Sequence, residues 1–249
     1  MNLAGRTILV TGGARGVGRE LTRQLAGRGA HVVAVGRDRE RLDALAADHG
    51  DRVSTYVLDL ADPEAVDAFA DALPERHPEL SVVINNAGAQ SLTDFLRDDP
   101  RATRPVLRRE TAVNLDAVIA LSAGLLPHLA GRPSAALVNI TSGLALAPKR
   151  TAPVYCAAKA GLRTFTRALR YQCQEGAPAL RVVDAVLPLV DTDMTRGRGS
   201  GKISAARAAT AVIEGIRRDR REIYVGTTKV LRGLMRVSPT LGHRILRDG

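Results

Sequence analysis

The amino-acid sequence reads as a single-domain α/β protein, a doubly wound seven-stranded parallel sheet with helices on both faces. Three observations lead there. Seven short runs rich in β-branched and apolar residues recur along the 249 residues. Stretches with apolar residues at helical spacing separate them, such as Leu21 with Leu25, or Leu42 with Leu45 and Ala46. Several runs are apolar almost without interruption, which suits strands covered on both faces.

The first run, Thr7–Thr11, leads directly into Thr11-Gly12-Gly13-Ala14-Arg15-Gly16-Val17-Gly18 and then a helical segment beginning at Arg19. Glycines at a strand-to-helix turn allow a tight bend and let backbone N–H groups approach a pyrophosphate. The pattern reads as the phosphate loop of a dinucleotide site, at Gly12, Arg15, Gly16, Val17 and Gly18, with a merely tight βα turn as the alternative. The second run, His31–Val35, ends in Gly36-Arg37. An acid at that place would bond both ribose hydroxyls of NAD. Arg37, with Arg15 beside it, pairs instead with a 2′-phosphate, so NADP(H) is favoured over NAD(H).

The third run, Arg52–Val57, ends near Asp59 and Leu60, and Asp62-Pro63-Glu64 reads as a helix N-cap followed by a first-turn proline. The fourth, Ser81–Ile84, ends in Asn85-Asn86-Ala87-Gly88. Both ends lie at the carboxyl edge of the sheet, where open α/β folds bind ligands. Asp59 is expected against the adenine amino group and Asn86 against the adenosine ribose, whereas Asn85 reads as a structural amide. Ser91–Thr111, with Pro100 and Pro105, reads as irregular.

The fifth run, Ala136–Ile140, is followed by Ser142, and Tyr155 and Lys159 lie four residues apart in a helix-compatible stretch. That spacing puts them on one helical face. A phenol is too weak an acid to work as a base near neutrality, and the Lys159 ammonium is expected to stabilise its phenolate. Asn114 and Ser142 can join the pair at the same sheet edge. The sixth run, Arg181–Val186, leads to Pro188-Leu189-Val190-Asp191-Thr192, and the seventh is Glu222–Val225.

Taken together, the glycine loop, Asn85-Asn-Ala-Gly88, Asn114, Ser142 and Tyr155-Cys-Ala-Ala-Lys159 resemble the short-chain dehydrogenase/reductase family from Leu3 to about Thr195. The resemblance implies a reaction between a carbonyl and an alcohol by hydride transfer, and a homodimer or homotetramer. Tyr155 would be the general acid/base, Ser142 would bond the reacting oxygen, Lys159 would hold the nicotinamide ribose, and Asn114 would anchor a water leading from Lys159 to solvent. Ala87, Gly88, Pro188, Val190 and Thr192 would complete the cofactor site. Leu189 departs from the glycine usual in the family and cannot cheaply adopt positive φ. The C-terminal segment and Gln90 resemble a branch that includes oxidoreductases of D-alanyl-lipoteichoic acid operons.

Substrate-side loops are expected near 90–105, 144–154 and 188–204, with Gln90, Leu144, Leu189 and Met194 as candidate contacts. The lining is mostly apolar, with Lys149, Arg150 and Arg196 able to meet an acidic substituent. The segment 229–249 is amphipathic and reads as a rim packed on the domain, with peripheral membrane contact as the alternative.

Composition narrows the field. Hydrophobic residues make up 45% of the chain, enough for one substantial core, and no repeat or flexible linker divides it. Two cysteines, Cys156 and Cys173, and the absence of a secretory layout at the start point to the cytoplasm. The most apolar stretch, Ala117–Ala130, is too short to span a bilayer. The net charge is +10, but the arginines are scattered and aromatics are 3%, so nucleic acid is not the expected partner. His31 and His128 stand without paired ligands, and no metal is expected. A nucleotide-binding sensor or scaffold without turnover is the alternative function; a pure binder has no need of a poised phenol.

Overall fold

A computed structural model describes residues 1–248, so Gly249, the last residue of the expected tail, lies outside the described residues. In chain order the elements begin β1 (Thr7–Thr11), α1 (Gly16–Ala26), β2 (His31–Gly36), α2 (Arg39–His49), β3 (Val53–Val57), α3 (Pro63–Arg76) and β4 (Leu80–Asn85). There follow α4 (Pro100–Thr111), a π-helical turn (Ala112–Asp116), α5 (Ala117–Ala130), β5 (Ala135–Ser142), α6 (Pro153–Gly176) and β6 (Leu180–Leu187). The chain closes with β7 (Val190–Asp191), β8 (Ile203–Ser204), α7 (Ala205–Arg217), β9 (Glu222–Tyr224), α8 (Thr228–Val237) and α9 (Pro239–Arg247).

Seven strands form one parallel sheet in the order β3-β2-β1-β4-β5-β6-β9. The pleat of β1 explains the two cores: Ile8 and Val10 face α1, α2 and α7, while Leu9 faces α3, α5 and α6. All three are fully buried. Strand order reverses between β1 and β4, and the crevice at their carboxyl ends is the place where such sheets take a ligand.

Three expectations need correction. Helix α1 begins at Gly16, three residues ahead of Arg19, because Gly16 itself makes the turn at φ +46°. Ser91–Thr111 is not irregular throughout, since α4 starts at Pro100 with Asp99 accepting from the Arg101 N–H at 3.0 Å. Pro100 sits in the first turn, where its missing donor is harmless, and the helix continues through Pro105 at the loss of one hydrogen bond. Finally, α4, the π turn and α5 form one helix, Pro100–Ala130, long and apolar enough to cross a membrane by length and composition. Its Leu121, Leu125 and Leu129 are core residues, and Gly124 lets Ala70 of α3 approach to within 2.7 Å of where a Cβ would stand.

The tail folds into the amphipathic pair α8 and α9. Thr228 donates to Val186 O at 3.1 Å, Leu231 packs over Gly143, and the Arg150 N–H donates to Arg247 O at 2.9 Å. This ties the tail, as a rim, to the 144–154 segment, the middle of the three expected substrate-side loops.

Candidate functional site

The phosphate loop is stitched across the switch point by Thr11. Its buried hydroxyl accepts from the Asn86 N–H at 2.9 Å and the Ala87 N–H at 3.0 Å, while Asn86 Nδ2 donates to Thr11 O at 2.9 Å. Side chains are excluded from the loop by close contacts. A Cβ on Gly12 (φ +65°) would stand 3.1 Å from Ala87 Cα, one on Gly16 2.9 Å from Thr192 Cγ2, and one on Gly18 would strike the Gly12 carbonyl. No side chain caps the N-terminus of α1, so its first N–H groups are open to an anion, and the neighbouring Val17 packs on the core. This cradle fits a dinucleotide pyrophosphate.

On the adenosine side, Arg15 Nη2 pairs with Asp38 Oδ2 at 2.9 Å, and Asp38 also caps α2 and meets Arg41 Nε at 3.2 Å. Arg37 is exposed and makes no ion pair among the described residues. Asp59 is engaged differently from the expectation: Arg109 of α4 donates to both of its oxygens at 2.8 Å. Burial works against the Asp59 charge, but Arg109 and the Ala61 amide hold its pKa below the usual carboxylate value. Leu60 beside it is a core residue.

The π turn positions Asn114. Its Nδ2 donates to Ala89 O at 2.6 Å and Glu110 O at 2.8 Å, leaving a fully buried Oδ1 without a partner among the described residues. Lys159, 3% exposed, donates to Ile140 O at 3.0 Å. These groups meet at Gly88: a Cβ there would lie 3.0 Å from Asn114 Oδ1, 3.8 Å from Met194 Cε and 3.9 Å from Lys159 Nζ. Tyr155 shares the Lys159 face of α6, and the ammonium stands 5.9 Å from its ring centroid. Ser142, at the end of β5, accepts from the Leu144 N–H at 3.1 Å and faces the phenol.

Burial dominates the electrostatics here. Burial pushes the Tyr155 phenol up to about 12, with Ser142 opposing and with Cys156 and Glu110 adding to the rise. Burial also draws Lys159 down to about 8, against the pull of Asp184. Lys159 lies over the ring face and bonds Ile140 O, and burial is the largest influence on the phenol. Without further positive charge the Tyr155 phenol stays protonated.

The substrate-side candidates divide. Gln90 Oε1 accepts from Arg198 Nη1 at 3.0 Å, and Met194 stands over Gly88. Leu189 avoids positive φ and packs against Gly199, whose absent Cβ would be 2.5 Å from Leu189 Cδ2. Pro188 lies against Gly226. Val190 is 6% exposed and belongs to the core, with its carbonyl accepting from Thr195, so its side chain is not placed in the crevice. Leu144 faces a separate groove of about 540 Å³ with Ala145, Pro148, Ala157, Ala160 and Arg247, which contains neither Tyr155 nor Met194. Cys156 is buried and accepts from the Lys149 N–H at 3.3 Å, as a core residue would.

The sequence reading passed over Thr11, Arg109, Glu110, Arg198 and the buried pair Arg163–Asp184. Only Thr11 carried a signal, as a hydroxyl at the head of the glycine loop.

The short chain dehydrogenase family profile matches residues 6–202. An uncharacterized oxidoreductase of Bacillus subtilis, DltE, is 34% identical over 229 residues, which cover 90% of this chain and 89% of that protein. A short chain dehydrogenase from Burkholderia cenocepacia, solved in complex with NADP, superposes with a TM-score of 0.86 at 27% identity over 100% of both chains. Another from Burkholderia phymatum, solved with NAD, shares the fold at TM-score 0.82 and 20% identity over 95% of this chain and 96% of its own. With this match spanning the glycine loop, Asn114, Ser142, Tyr155 and Lys159, the chain belongs to the short-chain dehydrogenase family of oxidoreductases.

Proposed function

We propose that this protein is an NADP(H)-dependent oxidoreductase that interconverts a ketone or aldehyde and the corresponding alcohol. The observation that carries the reading is the convergence of Asn114 Oδ1 and Lys159 Nζ on Gly88, with Tyr155 on the same helical face as Lys159. A bound nicotinamide would supply or take the hydride. Tyr155 gives its proton to the carbonyl oxygen, or removes it from the alcohol in the reverse direction, and Ser142 donates a hydrogen bond to that oxygen. A phenol held protonated by burial suits reduction. Lys159 would hold the nicotinamide ribose hydroxyls, and the Asn114 Oδ1 beside it, without a partner among the described residues, suits a water that passes protons to solvent.

Gly12, Gly16, Val17 and Gly18 would hold the pyrophosphate, and Arg15 and Arg37 the 2′-phosphate. Asn86, Ala87, Gly88, Asp59 and Leu60 would border the adenosine and ribose, with the Pro188–Thr192 backbone near the carboxamide. The NADP held by the Burkholderia cenocepacia relative supports the choice of cofactor. Carbonyl-dependent NADPH consumption, followed by absorbance over a panel of ketones and aldehydes, tests the reading. Tyr155→Phe should lower kcat by about a thousandfold or more with KM for NADPH little changed. Equal turnover by that variant would sink the mechanism, and a lower KM for NADH than for NADPH would reverse the cofactor assignment.

A further inference from the structure

The sequence points to Lys149, Arg150 and Arg196 as cations that could receive an acidic substituent. The structure pairs both arginines with carboxylates, Arg196 with Asp193 and Arg150 Nε with Asp248 at 3.0 Å, while Lys149 lines the groove that Leu144 and Cys156 also line. Nearby Lys202 donates to Thr195 O at 2.6 Å. Arg198 is different. It is half-buried between Gly197 (φ +72°) and Gly199 (φ +56°), in a turn closed by its own N–H donating to Thr195 O at 3.0 Å.

Among the described residues, its guanidinium makes one hydrogen bond, to the neutral amide of Gln90 at 3.0 Å. A guanidinium has five donors in a fixed plane, so that bond orients the group and leaves most of its capacity unused. The location is the substrate side. Gln90 lies two residues beyond Gly88, and Met194 on the same loop as Arg198 covers Gly88. Glu110 lies behind both loops, 1% exposed, with Oε2 accepting from the Ser91 N–H at 3.0 Å and Oε1 without a partner. Its charge acts on Tyr155 and is acted on by Arg198, which puts the guanidinium and the phenol in one electrostatic neighbourhood. Burial raises the Glu110 pKa, with the Ser91 hydrogen bonds and the Arg198 charge opposing.

We infer that Arg198, oriented by Gln90, is the anchor for an anionic oxyacid group on the substrate. On this inference, which rests on the proposed carbonyl chemistry, the substrate is an aldehyde or ketone carrying a carboxylate, sulfonate or phosphate. An apolar stem passes along Met194 and Leu189. The charged end fixes which carbonyl reaches Tyr155, since a bidentate oxyanion contact is directional where an apolar lining is not.

The test uses ω-oxocarboxylates of increasing chain length and their methyl esters, with NADPH, on the full chain. The wild type should favour at least one carboxylate over its ester by about tenfold or more in kcat/KM, mostly through KM. Arg198→Met should erase that preference, Arg198→Lys should retain part of it, and Arg196→Met, which removes an equal charge from the same loop, should leave it intact. No preference in the wild type, or a preference surviving Arg198→Met, overturns the inference. If none of the compounds turns over, calorimetric binding to the NADP-loaded protein decides it: tighter binding of carboxylates that Arg198→Met abolishes supports the anchor and indicts only the carbonyl chemistry. Binding indifferent to the carboxylate overturns the anchor.

Discussion

Replacing Lys159 by Met should make the protein more stable while abolishing its activity. Lys159 is 3% exposed, and burial lowers its pKa from 10.5 to about 8. One pKa unit corresponds to about 1.4 kcal/mol, so holding the ammonium in this site costs about 3 kcal/mol of folding stability wherever both states are protonated, that is below about pH 8. Methionine has a similar volume and carries no charge, but gives up the hydrogen bond to Ile140 O, about 1 kcal/mol. The variant should therefore be more stable at pH 7 by about 2 kcal/mol, a rise in Tm of about 5 °C for a chain of this size.

The pH dependence isolates the cause. Between about pH 8 and 10.5 the folded protein has shed the Lys159 proton while the unfolded chain keeps it, so wild-type stability gains with pH relative to the variant. The two should melt together near about pH 9.5. Thermal unfolding by circular dichroism without cofactor, at pH 7 and at the higher value, measures both quantities. A variant less stable than the wild type at pH 7, or a gap that does not narrow with pH, would refute the reasoning.

Two further predictions concern positions where geometry leaves little room. Gly18→Ala drives a methyl into the Gly12 carbonyl and to within 2.6 Å of Asn86 Nδ2, so it should cost about 2 kcal/mol or more in urea unfolding and abolish the NADPH fluorescence enhancement on binding. Unchanged nucleotide affinity would contradict the assignment of the loop. Arg163→Met strips the ion-pair partner from Asp184, which is 2% exposed and otherwise bonded by Thr141, and should destabilise by about 3–5 kcal/mol at neutral pH. The Asp184 pKa is already raised by burial, so the folded state holds that proton more tightly than the unfolded chain. The loss should shrink as pH falls toward the unfolded carboxylate range, and Asp184→Asn in the same background should recover part of it. A pH-independent loss would show that packing, not the orphaned charge, is responsible.

Much of the architecture could be read from local pattern. The runs at β1, β4 and β5 are buried on both faces, so most of their residues are apolar whichever way they point, and polar ones such as Thr11, Asn85 and Thr141 are hydrogen-bonded. Asp62-Pro63 marked the start of α3 because capping depends only on adjacent residues. Ser91–Thr111 misled because proline is a breaker in a helix interior but acceptable in the first turn, and the position of Pro100 relative to the helix start is not visible locally. The reading of the Tyr155–Lys159 pair rested on four-residue spacing, a helical property, but the ammonium's lie over the ring depends on its hydrogen bond to β5.

By itself the sequence determined what one element or one turn can encode: the strand succession, the glycine loop, the helical face shared by Tyr155 and Lys159, and the family resemblance they carry. Tertiary structure alone decided what depends on distant segments meeting. It set the claim of Arg109 on Asp59, the burial of Val190 in the core, and the pairing of Gln90 with Arg198 across 108 positions. It also set the charge balance at Tyr155 and Lys159. The physical reason is that hydrogen-bond geometry and desolvation depend on which atoms surround a group in space, and in a parallel sheet those atoms come from strands and loops far apart in the chain.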